Sequence, residues 1–249
     1  MSRLDRAREA QRKTMKTRHL RPLPANPGRR LRAVFRVALL PVLLLGGPIS
    51  VARSEPAPDL PKPLWFDIVR KGATIGHHLI TFRRNGETLH VHSEVNFRVK
   101  VLFITAFQYT QKRDEAWRDG KLIAFASQAN DNGKTYDIKG KAEASGIRVT
   151  SGTQSWLLPT NSVPASFWNM SMVTAKGPLV DAQDGRVTKA KPVRIGKEKL
   201  VVGGRQIDAI HYRLVTKTPR DIWYDISGRW VKMRISGKDG SVVEWVLRY

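Results

Sequence analysis

The run from Pro219 to Tyr249, PRDIWYDISGRWVKMRISGKDGSVVEWVLRY, constrains the fold most, because it spells strands and tight turns with no interruption. Val231, Met233 and Ile235 alternate with Lys232, Arg234 and Ser236, the period of a strand with one buried and one wet face. Ser227-Gly228 before it and Asp239-Gly240 after it accept the positive φ that a tight hairpin requires. The next strand sets Val243, Trp245, Leu247 and Tyr249 on one face and Val242, Glu244, Val246 and Arg248 on the other. It is the most apolar strand and is expected to close the sheet.

The same grammar runs upstream. Leu64 to Arg70, Ile75 to Arg83, Thr88 to Lys100 and Tyr109 to Trp117 read as strands, with turns at Lys71-Gly72 and Asn85-Gly86. The apolar run Val99 to Phe107 is too short to span a bilayer and reads as strand buried on both faces. Leu122 to Gln128, Thr135 to Ala142 and Ile147 to Ser151 follow, set off by Asp119-Gly120, Asn132-Gly133 and Ser145-Gly146. Regularity breaks at Trp156 to Val173, where Pro164 is expected to open a short helix carrying Phe167, Trp168 and Met170. Strands resume over Leu179 to Gln183, Arg186 to Ile195, Lys199 to Val202 and Gln206 to Lys217. The fold class is mainly β: a single antiparallel sheet rolled into a barrel or half-barrel with one short helix.

Residues 1–52 read as an address. They hold 12 Lys and Arg against 2 Asp and Glu, then the apolar run Val37 to Leu45 and Gly46-Gly47-Pro48. This is a signal peptide with a long basic n-region, and small residues place cleavage between Ala52 and Arg53, with a second site after Ser54. A signal anchor in the inner membrane is the alternative, though Arg36, Pro41 and Pro48 interrupt the roughly twenty apolar residues it needs. Residues 53–63 are a proline-spaced linker, and 64–249 form the β-rich domain, expected to be periplasmic. The whole chain has 44 Lys and Arg and 21 Asp and Glu, so removing the leader leaves 32 against 19. That balance points to lipid head groups or anionic glycan and to peripheral envelope association, not to nucleic acid. With no cysteine, the fold rests on its core alone.

Catalytic patterns are sparse. If Asn85-Gly86 forms the loop, Thr81 pairs with His90, Leu79 with His92 and His77 with Glu94, gathering His77, His90, His92 and Glu94 on one face. Imidazoles and a carboxylate within reach of one another are a zinc-type ligand set; a solvated, histidine-rich face is the alternative. Gly133-Lys134-Thr135 mimics the end of a phosphate loop, but Gln128 stands where that motif needs glycine. Asp114, Glu115, Asp119, Asp181 and Asp184 fall at strand ends and turns, where solvated acids are expected. The seven tryptophans are expected to pack in the core with their N–H groups satisfied, or to line a cleft.

Several of these residues carry a resemblance: Lys71-Gly72 with Gly76, Glu115-x-Trp117-x-x-Gly120, Asn132-Gly133, Pro164-x-Ser166-x-Trp168-Asn169, and Asp221-x-Trp223-Tyr224-Asp225 with Gly228, Lys232 and Asp239-Gly240. In order and spacing they resemble the exported proteobacterial β-rich proteins grouped as domain-of-unknown-function family 6134, itself similar to family 3108. The resemblance implies a signal-bearing envelope protein and no catalytic residues. The expected function is non-enzymatic binding of an apolar or anionic envelope component, lipid or glycan, with no cofactor. An envelope hydrolase or metalloenzyme, and an assembly factor acting through protein partners, are the alternatives. Phe167, Trp168 and Met170 are the expected ligand contacts, either as a lid over a pocket or as a plug within the sheet. Outward cations such as Lys232, Arg234 and Arg248 are expected to favour an anionic head group at the rim.

Overall fold

The computed structural model describes residues 59–249 apart from Lys217 and Lys238. The expected leader, its cleavage site at Ala52 and Arg53, and most of the linker lie outside the described residues.

Short turns fold the alternating sequence into two meanders. The first runs β1 (Leu64–Arg70), β2 (Ala73–Asn85), β3 (Thr88–Val101), β4 (Ile104–Arg118), β5 (Lys121–Asp131), β6 (Lys134–Glu143), β7 (Gly146–Ser151) and β8 (Gln154–Leu158). A crossover segment follows with β9 (Val163–Pro164), α1 (Ser171–Thr174) and β10 (Leu179–Val180). The second meander runs β11 (Lys191–Val202), β12 (Arg205–Val215), β13 (Arg220–Asp225), β14 (Trp230–Ser236) and β15 (Val242–Leu247). β15 lies against β1, pairing Leu247 with Phe66 and Trp245 with Ile68, and so joins both meanders into one 13-stranded antiparallel sheet. The strand expected to close the sheet instead lies inside it, between β14 and β1, and joins the meanders without closing the sheet. The sheet's edges are β8 and β11, and β11 is blunted by Lys191, Pro192, Arg194, Lys197 and Lys199.

The curl of the sheet follows from two adjacent residues of the crossover. Phe167 packs 5.3 Å from Trp230 on β14, while Trp168 meets Trp117 on β4 at 5.5 Å. Those strands are five places apart in the sheet order. In a flat sheet they would stand about 24 Å apart at ~4.8 Å per strand. The sheet therefore wraps around the crossover, and Phe66, Ile68, Tyr224, Trp230 and Leu247 lose all solvent contact. No helix among the described residues is long and apolar enough to cross a membrane.

The structure corrects four expectations. Pro164 opens no helix: Val163 N–H donates to Pro178 O and Ala165 N–H to Val180 O, so Pro164 occupies the strand position that needs no donor. Phe167 and Trp168 therefore sit in a turn, and α1 starts only after Met170. The β2–β3 loop is Gly86-Glu87, with Asn85 opposite Thr88 and Gly86 at φ 55, a glycine in the first central position. The strands expected over Arg186 to Ile195 and Lys199 to Val202 are replaced by β11, one strand with an irregularity between Arg194 and Gly196. Most consequentially, Val99 to Phe107 is not a buried strand. β2 stops pairing at Phe97 and β5 at Tyr109, so residues 98–108 project as a two-stranded ribbon. At its tip Leu102, Phe103 and Ile104 are 87%, 99% and 73% exposed. An apolar run alone does not separate these outcomes, because burial is decided by whether neighbouring strands are long enough to flank it.

Leu247→Ala removes a fully buried side chain at the seam between the meanders. Urea unfolding is expected to show a loss of about 2–5 kcal/mol; a change within error would show that the seam does not carry stability.

Candidate functional site

β4 places Gln111, Arg113, Glu115 and Trp117 at every second position, so one strand face delivers a row of polar groups to the interior. Glu115, only 4% exposed, is saturated. Its Oε1 accepts from Arg113 Nε at 2.5 Å and from the Ser166 hydroxyl, and its Oε2 from Trp117 Nε1 at 2.8 Å and Trp168 Nε1 at 3.1 Å. Arg113 Nη1 and Gln111 Nε2 both donate to Ala182 O, at 2.8 and 2.9 Å, which ties the far limb of the crossover to the same strand. The guanidinium also lies 4.8 Å over the Phe125 ring. That ring fits only because residue 140 is glycine: a Cβ there would stand 2.1 Å from Phe125 Cε1. Glu115 is thus no solvated acid at a strand end, as its position near Asp119-Gly120 suggested.

Beyond this node the curl encloses a cavity of ≈ 280 Å³. Its floor is polar, formed by buried His78, Arg113, Glu115 and Ser166 with half-buried Ser93; its walls are Phe97, Leu214, Met233, Ile235 and Trp245. Partly exposed Phe107, Asp131, Gln183 and Arg220 mark the mouth, which opens at the end of the sheet where the β3–β4 ribbon begins. Phe167 and Trp168 face this cavity while closing off the rest of the curl, so the crossover is plug and floor at once. Three buried nitrogens of lining residues have no hydrogen-bond partner in the protein: Arg113 Nη2, His78 Nδ1 and Trp245 Nε1. The Nε2 of His78 meets Ser93 Oγ at 2.8 Å, and burial pushes the imidazole down to about 3, so it is neutral at ordinary pH. Burial likewise pushes the Tyr109 phenol up, which keeps its proton in place.

The other expected site residues lie elsewhere. Met170 is not part of the lining; its Sδ faces the Gly228 turn. His77, His90, His92 and Glu94 share the outer face but do not converge. In the observed register His77 faces Asn96 and His92 faces Thr81, about 13 Å apart along the strand at ~3.3 Å per residue. His77 Nδ1 instead meets Asp67 at 3.0 Å, His92 Nδ1 meets Asp114 at 2.8 Å, and Glu94 pairs with Lys112 at 3.5 Å. Among the described residues no group of three or more His, Asp or Glu is placed to hold a metal. The outward cations are not free at a rim either: Lys232 pairs with Glu244, Arg234 with Asp221 and Arg248 with Asp67.

A second polar cluster, which pattern reading missed, ties the outer face of β11 to β14. His211 stacks on Trp223 at 4.4 Å and lies between Glu198 Oε1, 2.6 Å away, and Asp221 Oδ1, 2.9 Å away. Trp223 Nε1 donates to Glu198 Oε2 at 3.1 Å. Burial raises the affinity of Asp221 for a proton, but hydrogen bonds from Arg213, His211 and Arg234 outweigh it and hold the carboxyl at about 2. The Asp221-x-Trp223 pair was the signal available in the sequence.

The residues that carried the resemblance, Glu115, Trp117, Ser166 and Trp168, thus meet at one carboxylate. Residues 66–248 match the pattern of the domain of unknown function DUF6134. The chain belongs to the DUF6134 family. A crystal structure of a beta-barrel-like protein of domain of unknown function DUF1849, from Brucella abortus, has a similar fold, with a TM-score of 0.55 and 14% identity. The match covers 76% of this DUF6134 chain and 95% of that one. No curated protein matches it in sequence.

Glu115→Gln removes the charge opposite a buried guanidinium and is expected to cost about 3–5 kcal/mol of stability by urea unfolding. A second outcome concerns pH. The His78 imidazole protonates at about 3 in the fold against 6.5 ordinarily, so between these values the unfolded chain takes up a proton that the fold excludes. Stability from this group is complete above the upper value and declines as pH falls, by about 1.4 kcal/mol per pH unit. Unfolding measured across that interval is expected to show this slope in the wild type and a flatter one in His78→Gln; equal slopes would assign the dependence to another group.

Proposed function

We propose that the chain is a non-enzymatic binding domain of the cell envelope that holds an acyl chain, its carbonyl or carboxylate end directed to the cavity floor. The observation that carries this reading is the set of buried, unpartnered nitrogens on Arg113, His78 and Trp245 around one apolar-walled space. Arg113 Nη2 and Trp245 Nε1 are donors, and a buried donor left without an acceptor costs about 1–3 kcal/mol, so a ligand oxygen that reaches either recovers what the fold alone forgoes; the neutral His78 can donate or accept at Nδ1. The walls of Phe97, Met233, Ile235 and Trp245 favour hydrocarbon over a sugar ring. At ≈ 280 Å³ the cavity stands near the lower end of ligand pockets, which begin at about 300 Å³. The mouth carries both signs, Asp131 and Asp181 with Arg220, which supports placing the acceptor end at the floor. Export to the envelope is supported by the basic stretch and apolar run of residues 1–52.

Titration of the purified protein with a fluorescent fatty acid is expected to give saturable binding. Ala190 lines the cavity just before β11, and Ala190→Trp, which fills space there, is expected to abolish binding, with retained far-UV circular dichroism showing that the variant is folded. Absence of saturable binding in the wild type would end this reading.

A further inference from the structure

The feature the binding function leaves unused is the tip of the β3–β4 ribbon. Leu102, Phe103 and Ile104 stand almost fully in water, on a ribbon that no other strand flanks. Leu102 holds φ 56, a left-handed turn conformation that normally falls to glycine or asparagine. A leucine there costs local stability and gains only an outward apolar side chain, so turn formation does not account for it. From Val95 to Arg113 there is no acidic residue, and Arg98 and Lys100 flank the tip. The ion pairs of β3 and β4 involve Glu94, Asp114 and Glu115, all outside that stretch, and leave Arg98 and Lys100 unpaired among the described residues.

We propose that this tip docks the protein onto an anionic lipid bilayer, with Leu102, Phe103 and Ile104 in the headgroup layer and Arg98 and Lys100 against lipid phosphates. The apolar side chains supply insertion and the cations supply selection for negative charge. A second copy of this chain is the less favoured occupant, since two such tips meeting would bring four uncompensated cations together. The ribbon springs from the rim of the cavity: Phe97 and Phe107, which line it, are the residues from which residues 98–106 extend. Docking in this way turns the mouth towards the bilayer. Docking of the tip is independent of what the cavity binds.

The chain contains no cysteine, so Phe103→Cys offers one attachment point for an environment-sensitive fluorophore on the full chain. Ile226→Cys, 79% exposed in the turn between β13 and β14 at the opposite end of the sheet, is the control. Mixed with phosphatidylglycerol-containing vesicles, the label at 103 is expected to shift to the blue and brighten, and the label at 226 to stay unchanged. Pure phosphatidylcholine vesicles, high salt, or Lys100→Glu with Arg98→Glu are each expected to reduce the shift several-fold. An apolar leader adsorbing to the vesicle would leave the label at 103 in water. Ala190→Trp is expected to keep the shift, which separates docking from occupation of the cavity. No shift at 103, equal shifts at both sites, or a concentration-dependent shift without vesicles would overturn the proposal, the last by showing that the tip is covered by a second copy.

Discussion

The interior depends on a single carboxylate with four donors. Apolar contact alone would let Phe167 and Trp168 settle against the inner face in more than one way, because burial of hydrocarbon has no direction. Hydrogen bonds have direction, and Glu115 spends both oxygens on them: one towards Arg113 and Ser166, the other towards Trp117 and Trp168. The crossover is thereby fixed to β4 at one point, and Ala182 fixes it again through Arg113 and Gln111. Between those two anchors lies the cavity. A well-packed apolar replacement of a buried ion pair is often no less stable, so the value of this one lies in where it holds the crossover.

The outer face repeats the device. Asp221 gathers His211, Arg213 and Arg234, while Glu198 reaches Trp223 across β12. Both clusters join an acid to an indole N–H, the inner one tying β4 to the crossover and the outer one linking the consecutive strands β11 to β14. They brace the curl from its two surfaces, the inner one against the plug and the outer one along β11 to β14.

Much of the fold was legible because period and turn chemistry are local. Alternation along β14 and β15, and glycine-bearing dipeptides at most turns, are enough for an antiparallel sheet. What escaped depends on partners distant in sequence. The β2–β3 register moved by two residues because Gly86 takes the first loop position rather than the second, which kept each side chain on its face but broke up the histidine group. The burial of Val99 to Phe107 is not written in the run itself, because it is set by where β2 and β5 stop. Phe167 and Trp168 were recognisable as interior residues, yet nothing nearby said that Glu115 would be buried with them. Its acid neighbours Asp114 and Asp119 are the solvated residues that pattern suggests.

The pairing of β1 with β15 has a consequence in time. Phe66 finds Leu247 across nearly the whole domain, so the seam has a sequence separation close to the largest the unit allows. Such contacts slow folding, because the entropy of closing a long loop is lost before the contact rewards it. Until β15 arrives, the edge of β1 that faces it stays unpaired, wherever the chain folds. Throughout that interval the chain offers a flat run of open backbone donors and acceptors, the state in which a holding chaperone would recognise it.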